Sequence, residues 1–84
     1  MSYRVSIVKS AEKEFLRLPG GIRTRTRSRT LALELDPRPV GCKKLSGTDH
    51  HRIRIGDYRV VYNIDDTHKH ITILSIGHRR EIYR

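Results

Sequence analysis

The chain has 84 residues, and its 18 lysines and arginines against 9 aspartates and glutamates give a formal net charge of +9. This length predicts one domain, residues 1–84, with a small core. The charge predicts an acidic partner: a nucleic acid, an acidic protein segment or an anionic surface. No apolar run approaches the roughly 20 residues of a membrane-spanning helix, and no signal peptide is visible, so a cytoplasmic protein without a membrane partner is expected. A single cysteine, Cys42, excludes an internal disulfide.

The first part of the chain predicts a strand followed by a helix. Residues 3–8 alternate apolar and polar side chains, which is typical of a strand with one buried face. Ser10 is placed to cap the following helix. The apolar stripe of that helix comprises Ala11, Phe15 and Leu18. Residues 19–21, Pro-Gly-Gly, are expected to end it.

The next segment, residues 22–35, carries four arginines in alternation with threonine and serine: Arg23, Arg25, Arg27 and Arg29. A period of two would suit a strand, but neither face of that strand would be apolar. A helix gains an apolar stripe that includes Ile22, Thr26 and Leu33, so we predict a helix that ends at Asp36-Pro37. Its arginines leave two interpretations open: a solvated face, or a contact surface for a nucleic acid or an acidic partner.

The second half of the chain predicts a loop, three strands and a short C-terminal tail. Residues 36–49 form the loop, and residues 70–76 are an apolar, β-branched run expected to be a central strand buried on both sides. The tail follows from Gly77. The fold class is therefore α+β, in the order β-α-α-β-β-β, with an antiparallel sheet and two N-terminal helices packed on one face.

Residues 50–62 predict a β-hairpin around the two-residue turn Gly56-Asp57, where glycine suits the first position of a type II′ turn. Counting outward from the turn pairs Ile55 with Tyr58 and Arg54 with Arg59. Side chains alternate between the two faces of a sheet. One face then carries Ile53, Ile55, Tyr58, Val60 and Tyr62. The other face carries Arg52, Arg54 and Arg59.

The arginine face of this hairpin requires an explanation. Like charges directly opposed across two strands destabilise a sheet by up to about 1 kcal/mol. A bound polyanion would compensate for this cost, because the guanidinium fork matches two phosphate oxygens. A solvated basic face with splayed side chains is the competing interpretation. Lys43 and Lys44, just before the hairpin, would extend the cationic surface.

The remaining chemistry points to RNA. The sequence has no zinc-type Cys/His cluster and no glycine-rich phosphate loop, so neither metal nor cofactor is expected. Arginines, histidines and a tyrosine suit a reaction in which a ribose 2′-OH attacks the neighbouring phosphate. Arginine is a poor base, so proton transfer would fall to other side chains. The candidates are Tyr83, His78, His51 and His50.

Three blocks of the sequence together resemble one known family. They are residues 43–47 (Lys-Lys-Leu-Ser-Gly), residues 52–62 (Arg-Ile-Arg-Ile-Gly-Asp-Tyr-Arg-Val-Val-Tyr) and residues 76–83 (Ile-Gly-His-Arg-Arg-Glu-Ile-Tyr). The resemblance is to the RelE/ParE toxin superfamily of type II toxin–antitoxin systems, and it covers essentially the whole chain. It implies a RelE-like fold.

The resemblance also implies site residues. RelE-type members are ribosome-dependent mRNA endonucleases that cut in the A site without a metal ion. By position, Arg59 and Arg79 would bind the scissile phosphate and stabilise its developing charge. Tyr83 would stack on a base or help activate the 2′-OH, and Arg52 and Arg54 would hold the RNA backbone and assist proton transfer. Lys43, Lys44, His51 and His78 are the further RNA-binding candidates. The best-known member has a lysine pair where Arg52 and Arg54 stand.

An alternative activity exists within the same superfamily, because ParE-type members inhibit DNA gyrase and lack the nuclease residues. The Arg59, Arg79 and Tyr83 set favours the RelE type. A non-toxic remnant that binds nucleic acid or antitoxin is the third hypothesis. The resemblance further implies a cognate antitoxin, a ribosome with mRNA in its A site, and a toxin–antitoxin complex that binds operator DNA.

Overall fold

The structure is a computed structural model, and it describes residues 2–78. It contains two helices and a five-stranded sheet of order β1-β5-β4-β3-β2. The elements are β1 (Arg4–Ile7), α1 (Lys9–Leu16), α2 (Gly20–Ala32), β2 (Lys43–Lys44), β3 (His50–Ile55), β4 (Tyr58–Asp65) and β5 (His70–His78). The predicted α+β class and the order of helices and long strands are confirmed. Neither of these helices is long and apolar enough to cross a membrane.

The sheet differs from the prediction at both edges. It is mixed rather than wholly antiparallel, because β1 runs parallel to β5, with Val5 beside Ile71. The chain between these two strands is long enough to return in the same direction, which a parallel pair requires. At the other edge, Lys43 and Lys44 form the short strand β2 within the predicted loop.

The helix boundaries also correct the sequence interpretation. Helix α1 begins after Val8, which makes no side-chain capping bond, so Ser10 lies inside the helix rather than at its cap. The two glycines open α2 instead of ending α1: Pro19 is the residue before α2, and its carbonyl accepts the Arg23 N–H at 2.8 Å. Proline suits the start of a helix because its fixed φ is compatible with helical geometry.

Both helices pack on one face of the sheet, as predicted. Thr26 and Leu33 of the α2 region are 0% and 1% exposed, whereas the arginines of α2 are all exposed. Buried apolar side chains from the two layers form one cluster: Ala11, Leu18, Leu33, Ile53, Ile55, Val60, Tyr62, Ile71, Ile73 and Ile76. Burial of this apolar area is the main force that stabilises so small a domain.

Strand β5 contains one extra residue. Val61 of β4 pairs with Ser75, but the next residue, Tyr62, pairs with Ile73, so Leu74 is bulged out of the register. The bulge shifts the alternation by one residue and lets Ile73 and Ile76 both face the core. The prediction that β5 is buried on both sides is wrong, because Thr72, Leu74 and Ser75 are only half-buried.

Glu14 of α1 holds the edge of β5 beyond the bulge. Strand β1 leaves β5 after the Val8 N–H donates to the Ile73 carbonyl at 3.1 Å. The next edge amide, the Ile76 N–H, donates to Glu14 Oε1 at 3.0 Å instead. A side-chain carboxylate thus takes the place of a neighbouring strand and fixes the last residues of β5.

Replacing Glu14 with alanine is expected to lower the free energy of unfolding by about 1–3 kcal/mol, because the partly buried Ile76 N–H loses its acceptor. Glu14→Gln keeps an acceptor oxygen and should recover most of this loss. Urea unfolding of the two variants measures the difference. Equal stability of Glu14→Ala and wild type would show that water replaces the carboxylate.

Candidate nucleic-acid interface

The predicted hairpin is confirmed residue by residue. Ile55 pairs with Tyr58, Arg54 with Arg59, and Ile53 with Val60. Gly56 has a φ of +60°, whereas Asp57 does not have a positive φ. A positive φ at the first turn residue alone fits the type II′ turn. The turn residues therefore set the register that places the arginines.

A cationic surface lies on the sheet face away from the helices. We call it the basic face, and it consists of Lys43, Arg52, Arg54 and Arg59. Directly paired residues of neighbouring strands share a face. The pairs Arg54–Arg59 and Lys43–Arg52 therefore form two adjacent rows across β2, β3 and β4. On β5, Gly77 continues the first row beside Arg59, and Ser75 continues the second beside Val61.

The arginines of the basic face differ in burial. Arg59 is 7% exposed and sits on β4, between β3 and β5. Arg54 is exposed and Arg52 is half-buried. Burial confines the Arg59 side chain to one place, whereas Arg54 retains freedom to follow a ligand. A confined guanidinium is suited to stabilising charge at a fixed point, and a mobile one to holding a flexible strand.

The ion pairs of the described residues lie away from the other three cations of the basic face. Within residues 2–78 the ion pairs join Arg38 with Asp66 and His68 with Asp65, both outside the basic face. Lys43, Arg52 and Arg54 form no ion pair within this part of the chain. The fold thus brings the predicted cations together on one face, and their charge would attract an anionic ligand.

Lys44 and His51 lie on the other face of the sheet. They pair with each other across β2 and β3, and His51 also pairs with the buried Tyr62, whose ring it stacks on at 6.0 Å between centroids. Both line a polar cleft of about 590 Å³ with Arg38 and Asp66. Burial lowers the pKa of His51, and the charge of Arg38 adds to this effect, so the imidazole is neutral at pH 7.

His78 also lies on the helix side of the sheet. It pairs with Tyr58 and contacts that ring edge to face, at 5.6 Å between centroids and 83° between planes. Glu14 and Arg17 line the same cavity, which has a volume of about 270 Å³. Strand alternation therefore separates three of the predicted RNA-binding residues, Lys44, His51 and His78, from the basic face, while Lys43 joins it. Arg79 and Tyr83 lie outside the described residues.

Sequence reasoning missed the contribution of β5 to the basic face. Gly77 and Ser75 flank Arg59 and Val61 only because of the bulge at Leu74. No local pattern marks that bulge, since the run of isoleucines reads equally well without it. Among residues 2–78 there is also no group of three or more His, Cys, Asp or Glu side chains that could hold a metal ion.

A hydrogen-bond network fixes the loop before β2. The Tyr62 hydroxyl donates to the Pro37 carbonyl at 2.8 Å and lies 3.2 Å from the Cys42 thiol. Burial raises the pKa of the Tyr62 phenol, and the contact with Cys42 adds to this effect. Cys42 thus has a structural partner. On the surface of the same loop, Arg38 binds Asp66 at 2.9 Å, and the Tyr3 hydroxyl donates to Asp66 at 2.6 Å.

Acid should weaken this loop through Asp66. The hydrogen bond from Arg38, assisted by that from Tyr3, lowers the pKa of Asp66 from 3.8 to about 2. A carboxyl whose pKa is lowered by folding stabilises the fold above its unfolded value, and this contribution is lost as the pH falls towards 2. The stability difference between wild type and Asp66→Asn is therefore expected to shrink between pH 4 and pH 2. Urea unfolding at several pH values measures it, with Asp57→Asn as the charge-matched control; a difference independent of pH would contradict the assignment.

Comparison with known proteins finds toxins and toxin–antitoxin complexes. The family described as ParE toxin of type II toxin–antitoxin system, parDE, matches residues 5–83. Toxin RelG of Mycobacterium tuberculosis is 34% identical over 88 residues, which cover 100% of this chain and 99% of that protein. The archaeal RelE–RelB complex from Pyrococcus horikoshii contains a chain that is 38% identical, with a TM-score of 0.84 over 94% of this chain and 97% of that one. The E. coli RelBE toxin–antitoxin complex contains one that is 25% identical, with a TM-score of 0.81 over 92% and 96%.

Proposed function

Since this chain belongs to the RelE/ParE superfamily of toxins from type II toxin–antitoxin systems, we propose that it is an endoribonuclease that cleaves messenger RNA in the ribosomal A site. The observation that carries the proposal is the pair Arg54–Arg59. Two opposed arginines, with the Lys43–Arg52 pair in the adjacent row, concentrate positive charge where a phosphodiester could bind, because guanidinium forks match phosphate oxygens.

In the proposed reaction the RNA strand crosses the basic face with its scissile phosphate at Arg59. The ribose 2′-oxygen forms a bond to phosphorus as the bond from phosphorus to the 5′-oxygen breaks. The 2′-OH loses a proton, and the leaving 5′-oxygen gains one. The products are a 2′,3′-cyclic phosphate and a 5′-hydroxyl, so neither a metal ion nor a cofactor is required.

The described residues differ in burial, and we assign their roles in the cleavage reaction accordingly. Arg59, 7% exposed, is placed to stabilise the negative charge that develops on the phosphate oxygens. Arg52, Arg54 and Lys43 would hold neighbouring phosphates on either side. Arginine does not exchange its proton readily, so the base and the acid must come from elsewhere. The sequence resemblance implies that Tyr83 helps to activate the 2′-OH and that Arg79 joins Arg59 in binding the scissile phosphate, and we assign these roles to them.

RNA cleavage is favoured over gyrase inhibition. The family match carries the ParE description, but RelG and the toxins in the compared complexes carry RelE-type names. A basic face built from directly opposed arginines also suits a polyanion, because each guanidinium fork matches two phosphate oxygens.

The remaining partners follow from the same proposal. The compared structures are complexes of a toxin with its RelB antitoxin. By analogy, this chain would bind a cognate antitoxin with an acidic segment, since its own net charge is +9. The toxin–antitoxin complex would bind operator DNA, and the free toxin would act on ribosomes in the cytoplasm.

Primer extension on a reporter mRNA in a purified translation system tests the proposal. Wild type should produce cuts at in-frame codon positions only when ribosomes are present, and Arg52→Ala should reduce them by about tenfold or more, as expected for a lost charge-assisted hydrogen bond. Lys9→Ala removes a positive charge on the helix side of the molecule and should leave the cuts unchanged. Intact mRNA with folded wild-type protein would overturn the nuclease assignment, and gyrase-linked DNA breaks would then support the alternative.

A further inference from the structure

Helix α2 carries a second concentration of positive charge, on the side of the molecule opposite to the basic face. Its 13 residues include Arg23, Arg25, Arg27 and Arg29 and no acidic residue. All four side chains are exposed, and none forms an ion pair within residues 2–78. The Arg23 side chain donates a long hydrogen bond, at 3.4 Å, to the carbonyl of Leu16.

Helical geometry sorts these arginines into two rows. Residues four apart lie on the same side of a helix, about 6 Å apart along its axis. Arg23 and Arg27 therefore form one row, and Arg25 and Arg29 form the other. Thr26, which is fully buried, points into the core between them. Like charges at this spacing destabilise a helix, so the arginine pairs lower the stability of α2.

The outer surface of α2 is polar throughout its first three turns. Between the two rows, on the side facing solvent, the exposed side chains are the hydroxyls Thr24 and Ser28. No apolar side chain from Gly20 to Thr30 is exposed, whereas Leu31, four residues after Arg27 in the last turn, is 50% exposed. A protein partner would need apolar or aromatic contacts at the centre of its interface. Arginines interleaved with short hydroxyls are instead the groups that contact phosphate oxygens of nucleic acids.

The position of α2 separates this surface from the proposed cleavage site. The helix packs on the sheet face that carries Ile53 and Ile55, whereas Arg54 and Arg59 lie on the opposite face. The molecule measures 25 Å along its shortest axis. RNA bound at Arg54 and Arg59 would have to pass around the edge of the sheet to reach α2. The two surfaces are therefore suited to separate stretches of nucleic acid.

We propose that the two arginine rows of α2 form a second binding surface, which takes the phosphate backbone of base-paired RNA. The two rows lie on opposite flanks of one helix, so they can contact the backbones on either side of a groove. The contact is to phosphates and is independent of base sequence. The inference goes beyond the proposed cleavage and does not require it, because it concerns binding by another face of the protein.

Fluorescence anisotropy of the full chain with three labelled probes tests the proposal. The probes are a perfectly paired RNA hairpin, a DNA hairpin of the same sequence and an unstructured oligouridine. The first variant replaces all four α2 arginines with glutamine, which is also a good helix former and removes the like-charge pairs, so its thermal unfolding midpoint should not fall. The control removes four positive charges elsewhere on the surface: Arg4→Gln, Lys9→Gln, Lys13→Gln and Lys69→Gln.

The α2 variant should bind the RNA hairpin at least tenfold more weakly than the control variant. Its affinity should also fall less steeply with salt, by roughly 0.9 in the log–log slope for each lost phosphate contact. Binding of oligouridine should depend instead on Arg54, which Arg54→Gln tests separately from any cleavage assay. Equal losses in the α2 and control variants would overturn the proposal, as would unchanged hairpin binding. Binding of the DNA hairpin alone, or a loss of antitoxin binding with RNA binding intact, would overturn it in favour of a duplex-DNA or a protein surface.

Discussion

Replacing Arg59 with alanine is expected to lower the rate of mRNA cleavage on the ribosome by about 10²–10³-fold, the usual effect of removing one preorganised donor from developing negative charge. The reason lies in its position. Arg59 is 7% exposed on a central strand and is paired with Arg54. Its guanidinium is therefore confined before RNA arrives, and reaction requires no rearrangement of it. Ribosome binding should change much less than the cleavage step.

Two further variants separate charge, shape and folding at this position. Arg59→Lys retains the charge but loses the two-pronged guanidinium, so it should recover only part of the rate. Arg59→Met keeps a long side chain without charge and should be as slow as alanine while preserving the packing. Single-turnover cleavage measures the rates, and urea unfolding shows whether each variant is folded. A folded Arg59→Met with full activity would remove Arg59 from the site.

Arg54→Glu is expected to stabilise the fold and impair function in the same molecule. The substitution replaces a repulsive cross-strand pair with an attractive one, so the free energy of unfolding should rise by about 0.5–1 kcal/mol, the modest value being due to the exposure of residue 54. RNA affinity should fall at least about tenfold, because a charge-assisted phosphate contact is lost and a negative charge is introduced. A higher free energy of unfolding together with a lower RNA affinity would indicate that the Arg54–Arg59 pair serves binding rather than folding.

Urea unfolding and anisotropy with single-stranded RNA, both at low salt, measure the two effects. Arg54→Gln should fall between wild type and Arg54→Glu in both. High salt should reduce both differences, since the interactions are screened. A variant that loses stability together with RNA binding would indicate that Arg54 supports the fold, and the argument from repulsion would fail.

The sequence predicted well those features that depend on nearby residues. The turn at Gly56 determines the register of the hairpin by itself, so the opposition of Arg54 and Arg59 could be counted from the sequence. The helical interpretation of α2 was likewise decided by local pattern, because only a helix could bury Ile22, Thr26 and Leu33 on one side. The separation of the basic face from the apolar face followed from strand alternation.

Features that depend on distant residues were not predictable in this way. The parallel pairing of β1 with β5 and the contact of Glu14 with the Ile76 amide join parts of the chain more than 60 residues apart. The burial of Arg59 depends on its being in a central strand, which the hairpin alone does not reveal. His51 and His78 were separated from the basic face by pairings with Tyr62 and Tyr58, and the second of these depends on the bulge.

The bulged residue Leu74 interrupts the alternation of side chains between the two faces of the sheet along β5. Before Leu74, β5 is in register with β1, and after Leu74 it is in register with the hairpin. Deletion of Leu74 would make the pairing with β4 regular, because Ser75 would then follow Ile73 directly, and Gly77 would stay beside Arg59 and His78 beside Tyr58. A substitution at Gly77, rather than a change of length at the bulge, is therefore the shortest path by which such a fold acquires a titratable group beside its central arginine.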